Sequence, residues 1–425
     1  MTSTLIRSPK LNSPTLHRLA NGLTIIAEQI PVDAVNLNVW LDVGSAVESD
    51  AINGMAHFLE HMVFKGTDRL QSGEFEQQIE QCGAVTNAAT SQDYTHYYIT
   101  TAPKDFATLA PLQMDVVLNA RIPQDGFERE RFVVLEEIRR SQDNPRRRTY
   151  QHMSEMAFET LPYRRQVLGP AAVIENLSAQ QMRDFHAGWY HPRSMTAVAV
   201  GNLPVDELIR IVEQSVSHIS PTVDKPQIEN LTAEQPFTEI IRHEHVDPSL
   251  TQARLMMLWR VPGLSDLQQT YALDGLASIL GHGRTARLVK DLREERGLVS
   301  SVSTSNMTYR HQGIFCVSAQ LPVQNIDAVE ATIVAHLRSL QTEFATQAEL
   351  DRVRTQVANH FTFGNETPSD RSGLYGYYQT LVGDLEPAFN YPTYIQSLSG
   401  SDLQKAAQTY LPTDAYGCVI VKPGQ

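Results

Sequence analysis

The chain has 425 residues, 42% hydrophobic and 20% charged, with 48 acids against 35 bases and a net charge of -13. That is the make-up of a folded globular protein of about two to three domains, and it excludes disordered, collagen-like and low-complexity architectures. The acidic balance argues against nucleic acid as a partner, and no apolar run reaches the roughly 18 residues that a membrane span needs.

From Met1 to Ala27 there is no acid, and Arg7, Lys10 and Arg18 give a basic start. The stretch has no apolar core of a secretory signal and runs straight into strand-like sequence. The expected location is the cytoplasm of a bacterial-type cell, with an organelle matrix as second choice. Cys82, Cys316 and Cys418 are scattered. They read as inert thiols of a reducing compartment rather than as a disulfide framework or a CxxC zinc site.

Leu23 to Ala27 and Val35 to Val43 read as strands. Met55 to Phe64 reads as a helix, with apolar residues at 55, 58, 59, 62 and 63. A second helix runs from Ser72 to Cys82 and is closed by Gly83, and Thr95 to Thr101 is strand-like. Phe127 to Ser141 predicts a helix, with Asp125 and Glu128 at capping-box spacing and Asn144-Pro145 as the stop. Arg146, Arg147 and Arg148 are then expected in a solvated loop. Thr346 and Glu349 repeat the capping signal before a helix reaching about Phe363.

Residues 220–236 hold three prolines and no sustained periodicity, the best linker in the chain. The flanking halves, 1–219 and 237–425, resemble each other. Val39-Trp40-Leu41-Asp42-Val43-Gly44 matches Leu258-Trp259-Arg260-Val261-Pro262-Gly263, and Ile174-Glu175-Asn176-Leu177-Ser178 matches Ile395-Gln396-Ser397-Leu398-Ser399. The apolar strands Ala197 to Val200 and Cys418 to Val421 close the two halves. Near-equal offsets at both ends of the halves indicate a tandem duplication. The expected fold is α+β, two homologous α/β-roll domains with antiparallel-rich sheets packed by helices.

The chemistry concentrates in Gly54-Met55-Ala56-His57-Phe58-Leu59-Glu60-His61. On a helix His57 and His61 share one face, about 6 Å apart at the backbone, and can bind one metal ion. Glu60 projects toward the same side, within reach of a water at that metal. A third ligand is needed, and Phe127 to Ile138 offers Glu128, Glu130, Glu136 and Glu137. Glu130 and Glu137 share a face while Glu136 points elsewhere, but spacing alone leaves the choice open. In the second half, the matching helix, Leu273 to Gly281, has no histidine or glutamate. His243-Glu244-His245 reads as a surface strand, and Gly281-His282-Gly283-Arg284 lacks the spacing of a phosphate loop.

Gly54 to Thr67 followed by Glu128 to Ile138 resembles the pitrilysin, insulysin and mitochondrial processing peptidase family, whose inverted motif is HxxEH. The likeness is nearest to the short-chain branch of processing peptidases and their bacterial relatives. It implies that His57, His61 and Glu137 hold one Zn2+ per chain, with Glu60 as the catalytic base and Glu130 orienting the site. It also implies that the strand around Asn87 and Ala88 adds an extended peptide as a further β-strand. Arg371 and Tyr378 resemble the family's Arg/Tyr pair, which contacts substrate from the opposing half of the particle. The implied activity is zinc-dependent endopeptidase action on targeting-peptide-like or free oligopeptides, inside a clamshell homodimer. The alternatives are a non-catalytic core-type subunit and the catalytic subunit of a hetero-oligomeric peptidase.

Overall fold

The computed structural model describes residues 13–217 and 231–424. Residues 1–12 of the basic start and 220–230 of the predicted linker lie outside these. The first half opens on β1 (Thr15–Arg18), β2 (Thr24–Gln29) and β3 (Val35–Leu41). Then come α1 (Met55–Val63), α2 (Glu74–Gln81) and the hairpin β4 (Val85–Thr90) and β5 (Thr95–Thr101). Next are α3 (Pro103–Leu118), α4 (Gln124–Asp143), α5 (Pro145–Ala157), α6 (Ala171–Asn176) and α7 (Ala179–Trp189). The half ends with β6 (Met195–Gly201) and α8 (Val205–Val216).

The second half repeats this plan. It runs through β7 (Ile241–Asp247), β8 (Ala253–Pro262), α9 (Leu267–Gly281), β9 (Ser301–Thr308) and β10 (Gln312–Leu321). Five helices follow: α10 (Ile326–Thr342), α11 (Gln347–Phe363), α12 (Pro368–Leu381), α13 (Glu386–Ser397) and α14 (Gly400–Tyr410). The last strand is β11 (Gly417–Pro423).

The first sheet has the order β1-β2-β6-β3-β5-β4 and the second β7-β11-β8-β10-β9. Without β1 the two orders coincide. Each sheet has one parallel pair at the same place, β2 with β6 and β7 with β11, and is otherwise antiparallel. The first sequence match falls on the equivalent strands β3 and β8, the second at the ends of helices α6 and α13, and the apolar strands that close the halves are the equivalent β6 and β11, as a tandem duplication requires.

Strand residues alternate in direction, so each sheet has two apolar faces to cover. One face of the first sheet (Leu37, Val39, Leu41, Tyr97) packs on α1 through Met55, Phe58 and Leu59. Its other face (Ile26, Trp40, Val198, Val200) is covered by Tyr375 of α12, a helix from the second half. The second sheet is covered in return by α5 of the first half, with Met153 and Met156 on Met256, Leu258, Ile314 and Val419. The halves thus exchange helices. Gly376 permits the close approach of α12, because a Cβ there would lie 2.1 Å from Trp40 Nε1.

Two ion pairs repeat across this exchange. Arg148 of α5 bonds Asp247 of β7 at 2.5 Å, and Arg371 of α12 bonds Glu28 of β2. Arg146 to Arg148 therefore form the first turn of α5, not a loop: Pro145 starts the helix and Asn144 caps it by accepting from the Arg146 N–H. Asp125 does not cap α4, which begins after Pro123; its carboxylate bonds Arg129 one turn on. Thr346 and Glu349 do form a capping box on α11. Within the predicted linker, Glu234 accepts the N–H groups of Glu159, Thr160 and Leu161 and pairs with Arg260 at 3.0 Å. Residues 231–236 are thus held against both halves. Among the described residues, no helix is long and apolar enough to cross a membrane.

Candidate active site

Helix α1 starts at Gly54, whose φ of +98° lies in the left-handed region and which has no side chain to cap the helix. Glu48 supplies the missing acceptor. Its buried carboxylate takes the N–H of Gly54 at 2.8 Å, of Ala56 at 2.7 Å and the Asn53 amide at 2.9 Å. Burial pushes this carboxyl up to about 7, against those hydrogen bonds and the nearby Arg165. Helix α4 crosses α1, with Phe127 stacked on Phe58 at 4.6 Å between ring centres.

That crossing brings His57, His61 and Glu137 together. Glu137 Oε2 lies 3.5 Å from His57 Nε2 and 3.6 Å from His61 Nε2. Among the described residues, these three form the group whose donor atoms could hold a metal ion, all within 4.8 Å of one another. Two atoms bound tetrahedrally to one zinc at about 2.1 Å are about 3.4 Å apart, so the spacing and the His2Glu donor set both fit zinc. Burial, then the neighbouring His61 and Arg147, push the His57 imidazole down to about 3, which keeps it a neutral donor.

The neighbours of this group are ordered. His61 Nδ1 is 3.0 Å from Glu130 Oε1, leaving Nε2 to face Glu137. Glu130 also binds Lys65 at 2.7 Å, and its hydrogen bond with His61 holds its carboxyl below the usual range. Glu60 accepts the Thr90 hydroxyl at 2.5 Å, while burial raises its proton affinity. Glu136 is turned outward to Arg139 and Arg140, which hold it down at about 2. Glu48, Lys65 and Thr90 were not singled out by sequence. A capping carboxylate six residues before its helix follows no spacing rule, and Lys65 and Thr90 find their partners only through tertiary packing.

Asn87 and Ala88 lie on β4, the outer strand of the first sheet, which among the described residues pairs on one side only, with β5. Thr90 ends that strand at Glu60. Arg371 and Tyr378 are not brought to the histidines within the chain. The first sheet separates α12 from α1, since Val39 and Leu41 face α1 while Trp40 faces α12. Arg371 is engaged by Glu28 and by the carbonyl of Asn365, and Glu28 also accepts the Tyr375 hydroxyl at 2.8 Å. Within the chain Arg371 is, like Arg148, an ion-pair partner that ties the halves together. Tyr378 packs edge-on against Tyr377, and burial raises its phenol.

Residues 24–171 match the model for the insulinase family, peptidase family M16, and residues 176–357 match the peptidase M16 inactive domain. The uncharacterized zinc protease ML0855 of Mycobacterium leprae is 31% identical over 384 residues, covering 87% of this chain and 84% of that protein. The chain belongs to peptidase family M16. Zinc protease PqqE of Helicobacter pylori, another relative, is 28% identical over 98% of this chain and 93% of its own. The crystal structure of a protease from Helicobacter pylori superposes with a TM-score of 0.91 at 26% identity, over 96% of this chain and 99% of that one. A probable mitochondrial-processing peptidase subunit beta of Arabidopsis thaliana is 25% identical over 92% of this chain and 75% of that protein. The M16 insulinase match spans His57, Glu60, His61, Glu130 and Glu137. The match to the inactive domain covers α9, which has no histidine or glutamate.

Proposed function

We propose that this M16 chain is a zinc-dependent endopeptidase that hydrolyses short or unfolded peptides, with one zinc held by His57, His61 and Glu137. The observation that carries the reading is the convergence of two imidazole nitrogens and one carboxylate oxygen within 4.8 Å, beside the half-buried Glu60. When bound, zinc supplies a Lewis acid for the scissile carbonyl and acidifies water. Glu60 takes the proton from the attacking water and delivers it to the leaving amine. Its raised proton affinity suits both transfers, and Thr90 fixes its position. Glu130 orients His61 and strengthens it as a donor. The peptide lies as an added strand along the free edge of β4, past Asn87 and Ala88, so backbone hydrogen bonds favour extended over folded substrates. We place the site inside a homodimer that encloses the substrate; a mass in solution of one chain, or dependence on a different partner, would remove that part. The central test is Glu60→Gln. It keeps one bound zinc by metal analysis and loses at least about a hundredfold in peptide turnover. Turnover close to wild type would show that another group activates water.

A further inference from the structure

Only part of the arginine triplet at the start of α5 is taken up by its ion pair. Arg148 is bound to Asp247, but neither Arg146 nor Arg147 has a carboxylate partner among the described residues. Both line a cavity of about 440 Å3, together with Arg164, Arg165, Gln92 and Ser141. No acid lines this cavity. Among the described residues, Arg164 and Arg165 share Asp50 at 2.8 Å, and Arg165 also lies near Glu48. Arg164 and Arg165 are thus engaged, which leaves Arg146 and Arg147 as the cations without a carboxylate in a pocket whose walls are otherwise largely apolar.

Three lining residues belong to segments that also carry or flank the metal-binding group. Ser141 lies one helical turn beyond Glu137 on the same face of α4. Gln92 is two residues from Thr90, the partner of Glu60. Leu168, also in the lining, packs its carbonyl against Gly54 at the start of α1. Arg147 is near enough to His57 for its charge to act on that imidazole. Glu155 and Glu159 line the neighbouring cavity of about 580 Å3, which shares Arg164 and Arg165. The uncompensated charge therefore lies at Arg146 and Arg147.

We infer that this pocket is a substrate subsite that binds a carboxylate of the peptide through Arg146 and Arg147, so that the enzyme selects peptides carrying an acidic group beside the scissile bond. Guanidinium and carboxylate match as paired N–H donors and paired oxygens, and an open pocket lets them meet without full desolvation. The carboxylate belongs either to an Asp or Glu side chain or to the peptide's C-terminus. The inference rests on the peptidase reading.

Binding and turnover separate the two. A fluorescent host peptide, C-terminally amidated, carries Asp or Asn at each position in turn and is titrated into the zinc-loaded Glu60→Gln chain. In a second arm the peptide has no acid but a free C-terminus. At one register Asp should bind about tenfold tighter than Asn, or the free C-terminus about tenfold tighter than its amide, which identifies the source. Adding Arg146→Gln and Arg147→Gln should bring the ratio below about twofold, and salt should shrink it in the parent, because the pocket is open. Equal affinities in both arms, or a ratio that survives the double replacement, overturns the subsite. Should the zinc-loaded wild type cleave none of these peptides, the peptidase reading fails while the binding ratio still decides the pocket.

Discussion

Glu136 and Glu137 are adjacent on α4, and about 100° of helical turn separates an exposed ion-pair partner from a residue facing two imidazoles. Glu137→Gln should lose most of the bound zinc by metal analysis, whereas Glu136→Gln should keep it; the opposite result would move the third ligand by one residue. Helical spacing says which glutamates share a face, but not which face meets α1. That is why four acids stayed open in the sequence while His57 and His61, whose partner is their own helix, did not. Arg371 shows the converse. Its spacing from Tyr378 resembled a substrate-contact pair, and nothing local indicated Glu28, a residue 343 positions away. Arg371→Ala should destabilise the protein by about 3–5 kcal/mol in urea unfolding, because Glu28, only 2% exposed, would stay buried without the Arg371 guanidinium. Unchanged stability would show that the pair with Glu28 does not hold the halves together.

At the level of elements, α1 depends on a cap that lies outside it. Glu48 is held at about 7 when folded, above the ordinary carboxylate value of 4.5. The folded protein thus binds this proton more tightly than the unfolded chain does. The resulting stability is complete below about 4.5 and is lost as pH rises through about 7. Compared with Glu48→Gln in thermal melts, the wild type should therefore lose ground between pH 5 and pH 8. A difference in Tm that does not change with pH would mean that Glu48 does not titrate there. Elements whose signals are local were legible: α11 has its capping box, and β3 and α1 have their apolar periods. The start of α5 was not. Three arginines after a proline look solvated, and only the packing of Met153 and Met156 on the other half's sheet shows that a helix begins there.

Across the whole molecule, the duplication could be read from two short matches, but the exchange of α5 and α12 could not, since it pairs segments from opposite halves. Each sheet would leave a wide apolar face uncovered without the other half. Fragments 1–217 and 231–425 expressed separately should therefore aggregate or bind a hydrophobic dye strongly. Expressed together, they should copurify at equal stoichiometry. A first fragment that is monomeric and cooperatively folded by itself would show that α12 is dispensable to it.

The helix that covers Trp40 also sets a clock on biogenesis. The strands of the first sheet and both histidines of α1 leave the ribosome early, but Tyr375 and Gly376, which seal the sheet's outer face, come more than 300 residues after Trp40. At about 5–20 residues per second, that face waits some tens of seconds before it can close. The half that carries His57, His61 and Glu137 is thus made first and finished last, and through that interval the nascent chain carries an unfinished domain.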